Sequence, residues 1–210
     1  MSVKKNTLSV IALLVGIFGY LMTGIFSTET GEHVLVVRLG KVHTLITSPG
    51  IHYKFPYPFE YSIRAKVSKI QKVTISELSG NSLEGFTGDE NLLLIKAMIN
   101  FTIKDLEEYY YSVADVKTLL KDVAHSAMTV ELGKMAVDDV MTKGKALLRA
   151  NLKKNIQQEL DRIKAGINIV TVELKDIAPP KDVSQAFKEV SDAKEQKQRI
   201  INNAEGYYNS

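Results

Sequence analysis

The residues of this chain that could do chemistry are few, and their spacing does not form a catalytic group. A serine nucleophile needs a base within hydrogen-bond reach, usually a histidine that a carboxylate orients. Ser126 directly follows His125, but adjacent side chains on a helix do not face each other. The other histidines lie at expected strand ends or turns, outside any Gly-x-Ser-x-Gly or His-Glu-x-x-His pattern: His33, His43 and His52. We therefore predict that the chain is not an enzyme.

The paired carboxylates and the glycines have structural explanations. Asp138-Asp139 and Asp89-Glu90 are typical of a helix start and a loop, because acids often cap helices. Gly80 to Gly88, an expected loop, lacks the lysine and the following helix of a phosphate-binding loop. The absence of cysteine excludes thiolate catalysis, disulfides and zinc–thiolate sites. We expect no catalytic residue, no metal site and no cofactor.

Composition and charge are those of a folded protein that does not bind nucleic acid. Hydrophobic residues make up 45% of the 210 residues and charged residues 24%. The net charge is only +3, and no basic block of the kind that neutralises phosphate backbones is present. We expect no nucleic-acid partner.

The N-terminal segment predicts a membrane anchor. Residues 8–26 contain no charged side chain, and a helix of this length rises about 28 Å, close to the thickness of a bilayer's hydrocarbon core. Two lysines precede it and two glutamates follow it: Lys4, Lys5, Glu29 and Glu32. The positive-inside rule then places residues 1–7 in the cytoplasm and everything after Phe26 on the extracytoplasmic side of the cell membrane. A cleaved secretory signal is the alternative, but its apolar region is usually shorter.

Residues 27–90 predict a small β-rich module. Alternating apolar side chains indicate strands at 33–39, 42–46 and 63–75, the last with a bulge near Lys69-Ile70. Between them, aromatic residues occupy every second position: Tyr53, Phe55, Tyr57, Phe59 and Tyr61. In extended backbone this spacing puts all five rings on one side. They either cover the core of the module or rest at a membrane interface, and one stripe can do both.

Residues 91–178 predict an α/β module. The pattern indicates strands at 92–103 and 167–174 and helices at 106–113, 116–132 and 145–165, with a short connector at 135–140. Gly166 is placed to end the last helix as a C-cap, and Pro179-Pro180 breaks the chain after the final strand.

Residues 179–210 predict the start of a coiled-coil helix. Small and apolar side chains recur at alternating spacings of three and four, with Lys197 as a charged interruption: Val183, Ala186, Val190, Ala193, Ile200, Ala204 and Tyr207. One helix cannot bury such a stripe alone, so we expect these residues to mediate oligomerisation. Because the heptads continue to the last residues, we expect a longer helix in the whole protein.

Several short motifs resemble the SPFH (stomatin/prohibitin, or band 7) family, and specifically its HflK-like branch. They are GEHV at 31–34, RLGK at 38–41, SPGIH at 48–52, FTGDEN at 86–91, YYYSV at 109–113 and PPKDV at 179–183, with similar residues onward to Tyr207. Each motif alone is weak, but their order is specific. HflC-like and prohibitin-like assignments stay open.

The resemblance implies an α+β fold: an N-terminal transmembrane helix, an SPFH domain of a β-rich and an α/β module, and a truncated coiled-coil helix. It also implies a membrane scaffold that assembles with an HflC-like SPFH subunit into a homo- or hetero-oligomeric ring or cage. Such a cage regulates a membrane AAA protease of the FtsH type. The alternatives are a stomatin- or prohibitin-like organiser of membrane microdomains and a membrane-anchored protease.

Overall fold

The computed structural model describes residues 2–75 and 83–208, which form six helices and nine strands. The helices are α1 (Ser2–Met22), α2 (Leu106–Tyr111), α3 (Val116–Leu132), α4 (Val137–Met141), α5 (Lys145–Arg162) and α6 (Lys181–Tyr208). The strands are β1 (Ile25–Thr28), β2 (Glu32–Arg38), β3 (Lys41–Ile46), β4 (Gly50–Tyr53), β5 (Glu60–Lys66), β6 (Gln71–Ile75), β7 (Leu83–Phe86), β8 (Leu92–Ile103) and β9 (Ile167–Ala178). The chain therefore has the mixed α and β content that the sequence predicts.

The first compact unit comprises residues 1–71, 101–116 and 160–170. Its antiparallel sheet has the order β3-β2-β5, and β1 pairs with β4 separately. Apolar side chains of β2 pack with Ile103 and Leu106 into a small core. The strand pair β2–β3 contains a β-bulge, since its register shifts between Val36 and Val37. The Gly166 carbonyl accepts hydrogen bonds from the N–H groups of Lys104 and Asp105, and the Asp105 carboxylate caps the start of α2 by accepting the N–H groups of Glu107 and Glu108.

The second unit comprises residues 72–100, 117–159 and 171–210. Its sheet has the order β6-β8-β7, with β9 also paired to β8. The helices α3 and α5 bury apolar residues at every fourth position: Leu120, Ala124 and Met128 on α3, and Leu148, Leu152 and Ile156 on α5. Buried Glu131 accepts hydrogen bonds from Asn151 (3.0 Å) and Asn155 (2.9 Å) of α5 and pairs with Lys134. One buried carboxylate thus joins the two helices.

The N-terminal segment is helical, as predicted, but differs at its end. The helix α1 stops at Met22, and Ile25 to Thr28 pair with β4 instead of extending the predicted 8–26 helix. Within the part of the chain that the structure describes, no helix is long and apolar enough to cross a bilayer.

Three further predictions are wrong in detail. The single strand at 63–75 is two strands, β5 and β6, because the chain turns at residues 66–69, where the Lys69 N–H bonds the Lys66 carbonyl. In the predicted loop Gly80 to Gly88, residues 83–86 form β7, whose Leu83 and Gly85 are buried. Residues 80–82 lie outside the described part of the chain. The helix at 116–132 is confirmed. The predicted C-cap at Gly166 is wrong: α5 ends at Arg162, and Lys164 (φ 53°) takes the left-handed position instead, with the Ala165 N–H bonded to the Leu160 carbonyl.

Candidate functional site

The helix α6 presents the predicted heptad stripe to solvent. It begins directly after Pro179-Pro180 and runs for 28 residues without a break. Within the single chain, Val183, Val190 and Ile200 are 49%, 57% and 62% exposed, and the heptad alanines are exposed as well: Ala186, Ala193 and Ala204. Tyr207 lies in the last turn of the helix. The predicted residues therefore share one helix at coiled-coil spacing, and the chain leaves the six from Val183 to Ala204 exposed.

Two flanking residues that the heptad reading missed widen this apolar face. Phe187 and Ile201 each follow a heptad position by one residue, where coiled coils often place contacts that set partner choice. Phe187 is half-buried and Ile201 is 38% exposed. Other parts of α6 have polar pairs one turn apart, Gln185 with Glu189 and Gln198 with Asn202. The helix is thus amphipathic, with an apolar face and a hydrogen-bonded polar face.

An open cleft of about 590 Å³ lies at the base of α6. The carboxylate of Asp89 forms its rim and accepts hydrogen bonds from the Thr87 hydroxyl (2.6 Å) and the Val137 N–H (3.0 Å). The Thr87 bond contributes most to holding the pKa of Asp89 below its usual value, against burial, which raises it. Asp89 therefore anchors the start of α4, as a loop acid does, and Asp138 and Asp139 lie in the first turn of α4, as predicted.

The five aromatic residues lie on the surface, between 41% and 77% exposed: Tyr53, Phe55, Tyr57, Phe59 and Tyr61. The extended backbone predicted for them is wrong, because residues 57–59 form a turn in which the Phe59 N–H bonds the Pro56 carbonyl. We call residues 53–61 the aromatic turn. Since none of its rings is buried in the single chain, the turn does not form the core of the β-rich unit.

Buried Glu60 holds the aromatic turn in place. Its carboxylate accepts the Phe55 N–H (2.7 Å) and pairs with Nε of Arg38 (2.6 Å), which stands opposite it in the β2–β5 register. Burial raises the pKa of Glu60, but these bonds from Phe55 and Arg38 outweigh burial and leave the pKa below its ordinary value. The sequence reading missed this pair, although a lone acid among aromatics was a visible signal.

The last turn of α1 and the residues just after it contact the same turn through hydrogen bonds to main-chain carbonyls. The Lys54 N–H donates to the Gly24 carbonyl (3.0 Å), and the Tyr20 hydroxyl donates to the Tyr57 carbonyl (2.7 Å). A Cβ atom added to Gly24 would lie 2.0 Å from the Lys54 carbonyl oxygen, so a side chain has no space there. The helix and the aromatic turn are therefore joined directly.

The histidines are dispersed over separate elements: His33 in β2, His43 in β3, His52 in β4 and His125 in α3. His52 contacts the Ser48 carbonyl (3.0 Å) and the Phe26 ring. Across residues 2–75 and 83–208, no group of three His, Asp or Glu side chains is arranged to hold a metal ion.

Comparison with known proteins adds a family and several relatives. The model of the SPFH domain / Band 7 family matches residues 26–207. The chain is similar to protein HflK of Haemophilus influenzae (25% identical over 199 residues, 94% of this chain and 46% of the relative) and to HflK of Borreliella burgdorferi (26% over 214 residues, 96% and 68%). It is also similar to the modulator of FtsH protease HflK of Escherichia coli K12 (26% over 187 residues, 89% and 43%). It spans about half the length of most of these curated relatives. The family match covers most of the described sequence, and the chain belongs to the SPFH domain / Band 7 family.

Proposed function

We propose that this chain is a non-enzymatic scaffold subunit that assembles through α6 into a large ring or cage. The observation on which the proposal rests is the exposed apolar stripe along a 28-residue helix with coiled-coil spacing. Such a stripe is stable in water only against another helix. Where one face of a subunit contacts a different face of the next, repetition gives a ring if the rotation between subunits closes and an open filament if it does not. The partner in this proposal is an HflC-like SPFH subunit or a further copy of the chain.

We also propose that α1 anchors the scaffold in the cell membrane, with residues 1–7 in the cytoplasm. The described side chains of its second half are largely apolar and exposed, including Leu13, Val15 and Phe18 at 63% to 66%. In this proposal residues 27–90 and 91–178 form the SPFH modules on the extracytoplasmic side, and residues 179–210 begin the coiled-coil wall.

The proposed role of the cage is to regulate a membrane AAA protease of the FtsH type. The name of the Escherichia coli relative, a modulator of FtsH protease, supports this role. A stomatin-like organiser of membrane microdomains remains the second candidate, because the family match alone fits both.

The test is to extract the full-length protein from its native membrane with a mild detergent and to measure particle mass. We expect megadalton particles that contain an FtsH-type protease, and faster degradation of a membrane substrate of that protease when the gene for this chain is deleted. Large particles without the protease, and unchanged degradation, would favour the microdomain organiser. Single subunits would contradict both.

The aromatic turn offers a separate test of membrane contact. The chain contains no tryptophan, so Tyr57→Trp introduces a single fluorophore at the most exposed ring of the turn. In vesicles that contain brominated phosphatidylcholine, we expect its emission to be quenched several-fold, because aromatic side chains settle at the interface. Leu147→Trp on α5, at a position 60% exposed, is the control and should be quenched little. Weak quenching of both variants would place the turn away from lipid, and strong quenching of both would contradict a contact that is specific to the turn.

A further inference from the structure

A cavity of about 150 Å³ opens beside the aromatic turn, and three side chains that carry basic groups line it: Arg38, His43 and Lys54. The only acid in its lining is Glu60, which already pairs with Arg38. The rings of Tyr53 and Phe55, each about half exposed, border the cavity as well. We call it the cationic cavity.

The β-bulge in β3 brings His43 into the cationic cavity. Val42 pairs with Val37 and Thr44 pairs with Val36, so His43 is the extra residue between the two pairs. In a regular strand, neighbouring side chains point to opposite faces. Here Val42 packs on the core, whereas His43 and Thr44 both line the cavity. Bulges are common beside functional sites, where they redirect a side chain.

The charge of the cationic cavity is positive overall. Arg38 and Lys54 contribute two positive charges against the single carboxylate of Glu60. The hydrogen bond from Arg38 to Glu60 uses the Nε–H group, which is one of the five N–H donors of a guanidinium. The Nζ of Lys54 lies 3.5 Å from the main-chain carbonyl of Glu60, a contact that leaves its charge uncompensated. The cavity can therefore offer several donors to an anion.

Size and donor type indicate which anion fits. The cavity is open to solvent on one side, and its volume leaves room for a tetrahedral group of five heavy atoms. Arginine is well matched to phosphate oxygens, and lysine binds phosphate as a point charge. We propose that the cationic cavity binds a phosphate group, supplied by a phospholipid headgroup or by free phosphate. The lipid source rests on the membrane contact proposed above, because the neighbouring rings would then lie in the headgroup layer.

The test uses the full chain in maltoside micelles, which contain no phosphate. Inorganic phosphate is titrated calorimetrically, and retained lipid is counted by native mass spectrometry after addition of phosphatidylglycerol or of diacylglycerol with the same chains. The variant His43→Gln with Lys54→Gln leaves Arg38 in place, so that buried Glu60 keeps its partner. The matched control is Lys121→Gln with His125→Gln, two exposed positions on α3.

We expect the wild type and the control to bind phosphate, phosphatidylglycerol or both, and the cavity variant to bind at least tenfold more weakly. Retention of phosphatidylglycerol over diacylglycerol without phosphate binding identifies a headgroup site, and the reverse identifies a site for the free anion. Absence of binding by the wild type, equal binding by the cavity variant, or an equal loss in the control would overturn the proposal. Strong quenching of the Tyr57→Trp variant together with no phosphate binding would refute the cationic cavity alone and leave the membrane contact standing.

Discussion

Replacing Val190 and Ile200 together by aspartate is expected to reduce the assembled particle to single subunits or small oligomers. Both side chains are more than half exposed in the single chain, so the substitutions remove no contact of the monomer's core. In a helix–helix seam each aspartate would become a buried charge, which costs several kcal/mol per ion. At about 1.4 kcal/mol per factor of ten, the association constant of each seam should fall by at least about two orders of magnitude.

Particle mass, measured by mass photometry on the full-length protein in detergent, checks this result. The control is Gln185→Asp with Gln198→Asp, which adds the same charge to the same helix outside the apolar stripe. It should leave the particle mass unchanged, since aspartate costs a helix only about 0.7 kcal/mol per residue. Particles of wild-type mass from the Val190 and Ile200 variant would contradict a coiled-coil wall, and loss of mass in the control would show a general helix defect.

The second large effect is expected at Glu131, where alanine should lower the free energy of unfolding by about 2–3 kcal/mol. The substitution removes the acceptor for Asn151 and Asn155 and the ion-pair partner of Lys134, all from a buried position. Hydrogen bonds to a charged group stabilise a protein more than neutral ones do. In the alanine variant the side-chain amides of the two asparagines also lose their acceptor. Urea unfolding, followed by the helical circular dichroism of the chain in micelles, measures the loss.

Because of the Glu131 carboxylate, we expect the free energy of unfolding to fall in acid. The hydrogen bond from Lys134 contributes most to lowering the pKa of Glu131; burial opposes it, and the bonds from the two asparagines add to the lowering. The folded chain therefore binds this proton less readily than the unfolded chain. The stabilisation is complete above the ordinary value of 4.5 and is lost as pH falls through the lowered pKa.

Glu131→Gln separates the charge from the shape of this side chain. The amide keeps one carbonyl acceptor, so its loss at neutral pH should be smaller than that of alanine. The glutamine amide does not titrate. The difference in the free energy of unfolding between wild type and Glu131→Gln should therefore narrow as pH falls from 6 towards 3. A gap that stays constant over this range would show that the charge of Glu131 does not contribute.

Periodicity predicted the helical parts of the fold well. The helix at 116–132 has the predicted bounds, and the stripe of Leu148, Leu152 and Ile156 on α5 is buried. Such features follow from side-chain spacing within one element, which is written directly in the sequence. The heptad stripe of α6 also follows from spacing within one helix, whereas the identity of its partner does not.

Pairing between distant strands was harder to predict. Ile25 and Phe26 are apolar, like most residues of the helix before them. Only their pairing with Tyr53 and His52 makes them a strand. The burial of Glu60 likewise depends on the β2–β5 register, which sets it opposite Arg38. No local pattern encodes such a long-range choice, and for that reason the cationic cavity cannot be predicted from the sequence.

The close contact at Gly24 couples α1 to the aromatic turn mechanically. In the arrangement proposed above α1 lies in the bilayer, and a helix longer than the hydrocarbon core accommodates the mismatch by tilting, by kinking or by thickening the bilayer. The main chain of Gly24 contacts the main chain of Lys54 directly, with no side chain between them. A tilt of the helix would therefore move the aromatic turn with it. Lys54 would then rise or sink relative to the lipid surface. The thickness of the membrane would in this way become a quantity that the protein senses.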